Sequence, residues 1–140
     1  MCLITKTIEF KIAEEDIICY KIVKITDWEL GYCVTPYIGF QLQFMHKYDD
    51  SEPLEFVDRA GIADDYAVRR GVFHTFKNYD DALYELEHTW TENYKVVNCI
   101  IPKGTEYLEG EFYNWDKKYA SYGSKSIVVK EGDTYVLDNR

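Results

Sequence analysis

The chain has 140 residues, 46% of them hydrophobic and 16% aromatic, and a formal net charge of −9. That size suits one domain, residues 1–140, with a core that needs no staples, and an acidic chain with scattered Lys and Arg argues against duplex DNA or RNA as a partner. No run approaches the roughly 18 apolar residues of a membrane helix and MCLITKTIEF lacks the apolar centre of a signal peptide, so a soluble, cytoplasmic protein is expected.

In chain order, Thr7 to Ile12 alternates, with Ile8, Phe10 and Ile12 on one side, and reads as a half-buried strand. Ile17 to Ile25 is apolar on both faces and reads as a central strand. Its polar intruder, Lys21, shares a side with Ile17, Cys19, Val23 and Ile25. A snorkelling stem on a partly solvated face accounts for it; the alternative is a cation aimed into a pocket. Asp27 to Gln43 mixes short strand and turn, and Thr35 to Phe40 suits an aromatic loop bordering a cleft. His46 to Asp65 is polar, with a short strand at Leu54 to Val57 and carboxylates that lack the spacing of a calcium loop.

The region from Gly71 to Thr105 carries the clearest signals. A short strand to Phe76 precedes a helix over about residues 79–93, with Asn78 as N-cap and Asp81 reaching back to it. Tyr79, Leu83, Leu86 and Trp90 fall on one face at the helical period, and Glu85, Glu87 and Glu92 are expected in water. Asn93 fits a left-handed C-cap. Tyr94 to Ile101 is too β-branched to be more helix and reads as a buried strand, closed by Pro102 and turned at Gly104. Glu106 to Lys118 reads as a long aromatic loop, and Ser126 to Lys130 with Thr134 to Asp138 as a terminal hairpin. The expected class is α+β: a largely antiparallel sheet with one principal helix.

Four cysteines, Cys2, Cys19, Cys33 and Cys99, stand apart with no CxxC, so no disulfide framework is expected. Cys2 would become a terminal nucleophile if Met1 were removed, as in N-terminal nucleophile amidohydrolases, although Leu3 stands where Gly follows in one version of that motif. His74 lies on one side of its strand with Val72 and Phe76, as a ligand, a general acid or base, or a hydrogen-bonded core group. His46, His74 and His88 are too far apart for zinc, and no metal or cofactor is expected.

The order Tyr20-Lys21, then His74-Thr75-Phe76, then Ile101-Pro102-Lys103-Gly104-Thr105 before Glu109-Gly110-Glu111 resembles the layout of ADP-ribosyltransferase-like domains. That resemblance implies a transferase with Lys21 on a pyrophosphate and Glu111 at an oxocarbenium-like centre. Tyr20-Lys21, Gly71-Val72-Phe73-His74, a helix and Tyr119-Ala120-Ser121 before a final strand are similar to small uncharacterised α+β proteins of phages and gut bacteria, which implies a viral context. The leading expectation is a non-catalytic binding protein that sequesters a nucleotide-like ligand, held by Lys21, Tyr37, His74, Lys103, Gly104, Thr105, Tyr107 and Trp115. Its rivals are the transferase and a protein-binding module whose acidic surface meets a basic host protein.

Overall fold

The computed structural model describes residues 3–6, 9–25, 32–34, 41–43, 46–49, 54–58, 66–89, 94–114, 117–130 and 135–136. In chain order the elements are β1 (Leu3–Thr5), β2 (Lys11–Ile12), β3 (Ile17–Ile25), β4 (Tyr32–Val34), β5 (Gln41–Gln43), β6 (Lys47–Asp49), β7 (Glu55–Asp58), β8 (Tyr66–Arg70), β9 (Phe73–Phe76), α1 (Tyr79–Thr89), β10 (Tyr94–Ile101), β11 (Glu106–Asn114), β12 (Lys117–Ser124), β13 (Ser126–Val129) and β14 (Tyr135–Val136). Among the described residues, fourteen strands share one antiparallel sheet against a single eleven-residue helix. The fold is therefore mainly β, a curled half-barrel, and the α+β expectation is corrected. The helix is a lid on a sheet, not half of the architecture.

Much of the correction comes from segments that read as connections. Glu106 to Lys118 is not a loop: β11 and β12 pair along their whole length, from Tyr107↔Ser124 to Asn114↔Lys117. Leu108, Gly110 and Phe112 alternate with Glu109 and Glu111, so acidic residues stand on one face while the other is buried. Among the described residues the expected terminal hairpin is replaced by pairing of both β13 and β14 with β10, at Cys99↔Val129 and at Val96↔Tyr135. At the other end of the chain, within the expected strand over Thr7 to Ile12, the described Glu9 and Phe10 are outside any strand, β2 holds Lys11 and Ile12, and Ile12 is 55% exposed instead of buried.

The strand order β6-β13-β10-β3-β9-β12-β11-β1-β8-β7 explains the curl. β12 runs through Lys125 directly into β13, and these two strands lie on opposite sides of β10, β3 and β9. The strand path itself stays open from β6 to β7, but pairing and chain continuity together bend these five strands into a ring that the chain closes at Lys125. Its corner is held by Ser124 Oγ donating to the Ser126 carbonyl at 2.9 Å and by Lys125 N donating to the Glu106 carbonyl at 3.0 Å.

Inside the ring lie Cys19, Val23, Val97, Cys99, Ile101, Tyr122, Ile127 and Val129, a cluster of buried side chains. The register Tyr20↔Phe76 and Val96↔Ile22 assigns the opposite face. There Tyr20, Ile22, Phe76, Val96, Phe112 and Tyr119 meet Ala82 and Leu86 of α1. Phe76 stands edge-on to Phe112 and Tyr119, with centroids 4.8 and 5.5 Å away. A third cluster of Leu3, Val68, Val72 and Leu108 secures β1 and β8.

The helix begins where expected, with Asn78 Nδ2 donating to Asp81 Oδ2 at 3.4 Å and Ala82 N donating to the Asn78 carbonyl. Its buried arc is rolled from the expected one. Ala82 and Leu86 have no exposed surface, Tyr79 and Leu83 are half-buried, and Glu85, expected in water, is buried. Trp90 and Asn93 lie outside the described residues.

Candidate functional site

Lys21 and His74 belong to neighbouring strands, but alternation sends them to opposite faces. Tyr20 and Phe76 are opposed and share the helix face. Lys21, one residue on from Tyr20, points into the ring, and His74, two residues before Phe76, stays on the helix face. The Lys21 ammonium is the donor to the His74 backbone carbonyl at 2.8 Å. The two side chains therefore do not face one another, and the contact between the residues runs from the ammonium to a backbone oxygen.

Burial pushes the His74 imidazole down to about 3, and the Lys21 ammonium adds to the shift. The ring is neutral at ordinary pH, which suits a core group and not a proton shuttle. On the interior face, burial pushes the Cys19 thiol up to about 12, against the opposing influence of the Thr75 hydroxyl and Lys21. A thiol held so far from its thiolate is a poor nucleophile.

The turn from Lys103 to Thr105 lies about 13 Å along β3 from Lys21, since Ile101 opposes Ile17, four residues before Lys21. Gly104 takes φ +87°, as the tight turn requires. Its amides do not form an open anion cradle. Lys103 N donates to Asp16 Oδ1 at 2.8 Å, Gly104 N to the Ala13 carbonyl at 2.8 Å and Thr105 N to the Pro102 carbonyl at 3.1 Å. The Lys103 side chain is exposed and Thr105 is buried. In this arrangement the three donors brace the β2 to β3 connection against the turn.

Tyr107 packs edge-on to Tyr122, 5.8 Å between centroids, at the margin of the interior cluster. Beside them Glu109 is clasped by two lysines, Lys11 at 3.3 Å and Lys77 at 4.0 Å. The Tyr122 hydroxyl is pushed up by burial and then by the Glu109 carboxylate. Glu111, the transferase candidate, sits mid-strand opposite Ile4 and Ala120. Neither carboxylate lies on a loop. Tyr37, Trp115 and Cys2 lie outside the described residues.

Four groupings were missed from sequence. Lys11, Glu109 and Lys77 come from three distant strands or turns and leave no local signal. Cys19 faces Cys99 across β3 and β10. Glu85, under the helix, hydrogen bonds with Tyr119, and burial together with that carboxylate pushes the phenol well above its ordinary range. Lys117 lies over the Tyr84 ring at 4.2 Å, and His88 stacks on that ring at 3.9 Å. Among the described residues no three His, Cys, Asp or Glu side chains are grouped to hold a metal ion, and no helix is long and apolar enough to cross a membrane. Compared with protein-family models, curated proteins and solved structures, the chain matches none.

Proposed function

We propose that this chain is a non-catalytic binding module that engages a positively charged polypeptide through its surface instead of enclosing a small ligand. What supports the reading is one pattern. The groups an enclosed anion would need are bonded within the protein, Lys21 to the His74 carbonyl and the Lys103, Gly104 and Thr105 amides to Asp16, Ala13 and Pro102. Apolar side chains instead stand outside: Ile18 is 60% exposed and opposes half-buried Ile100. Between Ile12 and Ile18 the chain carries exposed Glu14, Glu15 and Asp16. Isoleucines flanking carboxylates suit a basic segment with apolar residues of its own. The net charge of −9 adds a long-range attraction that salt screens.

The test is titration with a lysine- and leucine-containing helical peptide, against an acidic peptide of the same length. Binding is expected for the basic peptide alone, weakening as salt rises. Ile18→Glu should lower affinity by about tenfold or more, roughly 1.4 kcal/mol, and change stability by less than about 0.5 kcal/mol, as exposed substitutions do. Equal binding of both peptides, or an unaffected Ile18→Glu, would remove the proposal. Native mass spectrometry with a nucleotide panel, run beside it, distinguishes the small-ligand reading by a retained adduct. Release of nicotinamide from NAD, stopped by Glu111→Gln, distinguishes the transferase.

A further inference from the structure

We infer that Cys19 and Cys99 are a redox-responsive pair, two core thiols that close into a labile cross-strand disulfide when the pairing of β3 with β10 opens in the presence of an oxidant. Both are reduced thiols without exposed surface, directly opposed in register and members of the same interior cluster. Their pairing type follows from a neighbour. Lys130 N donates to the Asn98 carbonyl at 2.8 Å, so Asn98 turns its backbone groups toward the β13 side and Cys99 turns its own toward β3. Cys19 and Cys99 are then a hydrogen-bonded antiparallel pair, with Cα atoms about 5.5 Å apart.

That separation lies within the window of about 4.4–6.8 Å found for disulfides. The Cβ spacing of opposed strand residues, about 4.5–5.5 Å, is at or beyond the upper end of what an unstrained disulfide takes. A bond here forms under strain, and strained disulfides are the readily reduced ones. Such a bond behaves as a switch more than as a staple.

In the closed protein the thiols are protected, because burial pushes Cys19 up to about 12 and leaves almost no thiolate. Opening of the strand pair restores ordinary thiols. With a small-molecule disulfide as oxidant, one cysteine thiolate attacks it, forming a mixed disulfide and releasing one small thiolate. The other cysteine thiolate attacks the protein sulfur of the mixed disulfide, forming the bond between Cys19 and Cys99 and expelling the second small thiolate. The two cysteine protons end on the two released thiols. The protein loses two electrons and the small disulfide gains them.

The test uses the full chain carrying C2S and C33S, incubated with oxidised glutathione without urea and with urea below the unfolding midpoint. Remaining thiols are then alkylated, and mass and non-reducing peptide maps are taken. The expected result is loss of two hydrogens and one cross-linked peptide joining Cys19 to Cys99. It should form at least ~10-fold faster in urea, as protection by burial requires, and excess reduced glutathione should reverse it. Recovery of both cysteines alkylated, or each carrying glutathione, would overturn the inference, as would a cross-link that reduced glutathione leaves intact. Should C2S/C33S fail to fold, the same maps on the unaltered chain separate this pairing from any that involves Cys2 or Cys33.

Discussion

Gly71 takes φ +94°, and a side-chain carbon added there would begin 2.5 Å from the backbone Cα of Leu54. Both the dihedral and the space require glycine. At Gly104, φ is +87° but nothing lies within 4 Å of the added carbon, so only the backbone preference remains. The pair forms a graded experiment. Gly104→Ala is expected to cost about 1 kcal/mol, and Gly71→Ala upward of ~2 kcal/mol because backbone must move as well. Denaturant midpoints with unchanged slopes would check both, and equal losses would refute the steric account. His74 provides a second residue-scale prediction. Its folded pKa of about 3 lies below the ordinary 6.5, so between these values the unfolded chain binds a proton that the fold refuses. The stability from keeping the ring neutral is complete above about pH 6.5 and is lost as pH falls toward 3, a difference of up to a few kcal/mol. His74→Gln should flatten that part of the stability profile. An identical slope in both proteins would show that the titration lies elsewhere.

At the scale of elements, the helix shows how a correct period can still give a wrong face. Tyr79, Leu83, Leu86 and Trp90 made the expected stripe and drew it toward Leu83. The observed arc is centred nearer Ala82, whose small side chain lets the helix approach the sheet, and the roll carries Glu85 beneath it. A buried carboxylate must find a donor, and the Tyr119 hydroxyl supplies one from β12. Tyr119→Phe leaves that carboxylate without the phenol and is expected to destabilise by about 1–3 kcal/mol. The loss should shrink when Glu85→Gln is present, because the neutral amide tolerates burial better. A double-mutant cycle measures this coupling, and additive losses would mean that the pair does not interact. Elsewhere, β3 and β10 were legible at their observed bounds because β-branched runs flanked by turn residues depend only on near neighbours. β11 was not legible. Its Glu106, Glu109, Gly110 and Glu111 resemble a loop until Leu108 and Phe112 are seen to face a hydrophobic layer built by other strands.

For the molecule as a whole, sequence gave no access to the pairing that makes the sheet. β10 lies on β3, β1 joins β11 to β8, and β9 bridges β12 and β3, joins that no local periodicity encodes. The candidate site suffered for the same reason. Lys21, His74 and the turn at Lys103 were all in strands or turns as expected, but the face each presents depends on partners far along the chain. What remained readable was the strand character of individual segments, and what was lost was which of them touch. The same long-range pairing governs how the protein comes into being. During synthesis the apolar run of β3, Ile17–Ile25, leaves the ribosome well before its partner β10 has been made, and its sticky edge must wait for some seventy further residues. Unpaired edges exposed for that interval invite aggregation, so yield in a cell is expected to fall when chaperones are scarce or translation is slowed between the two strands.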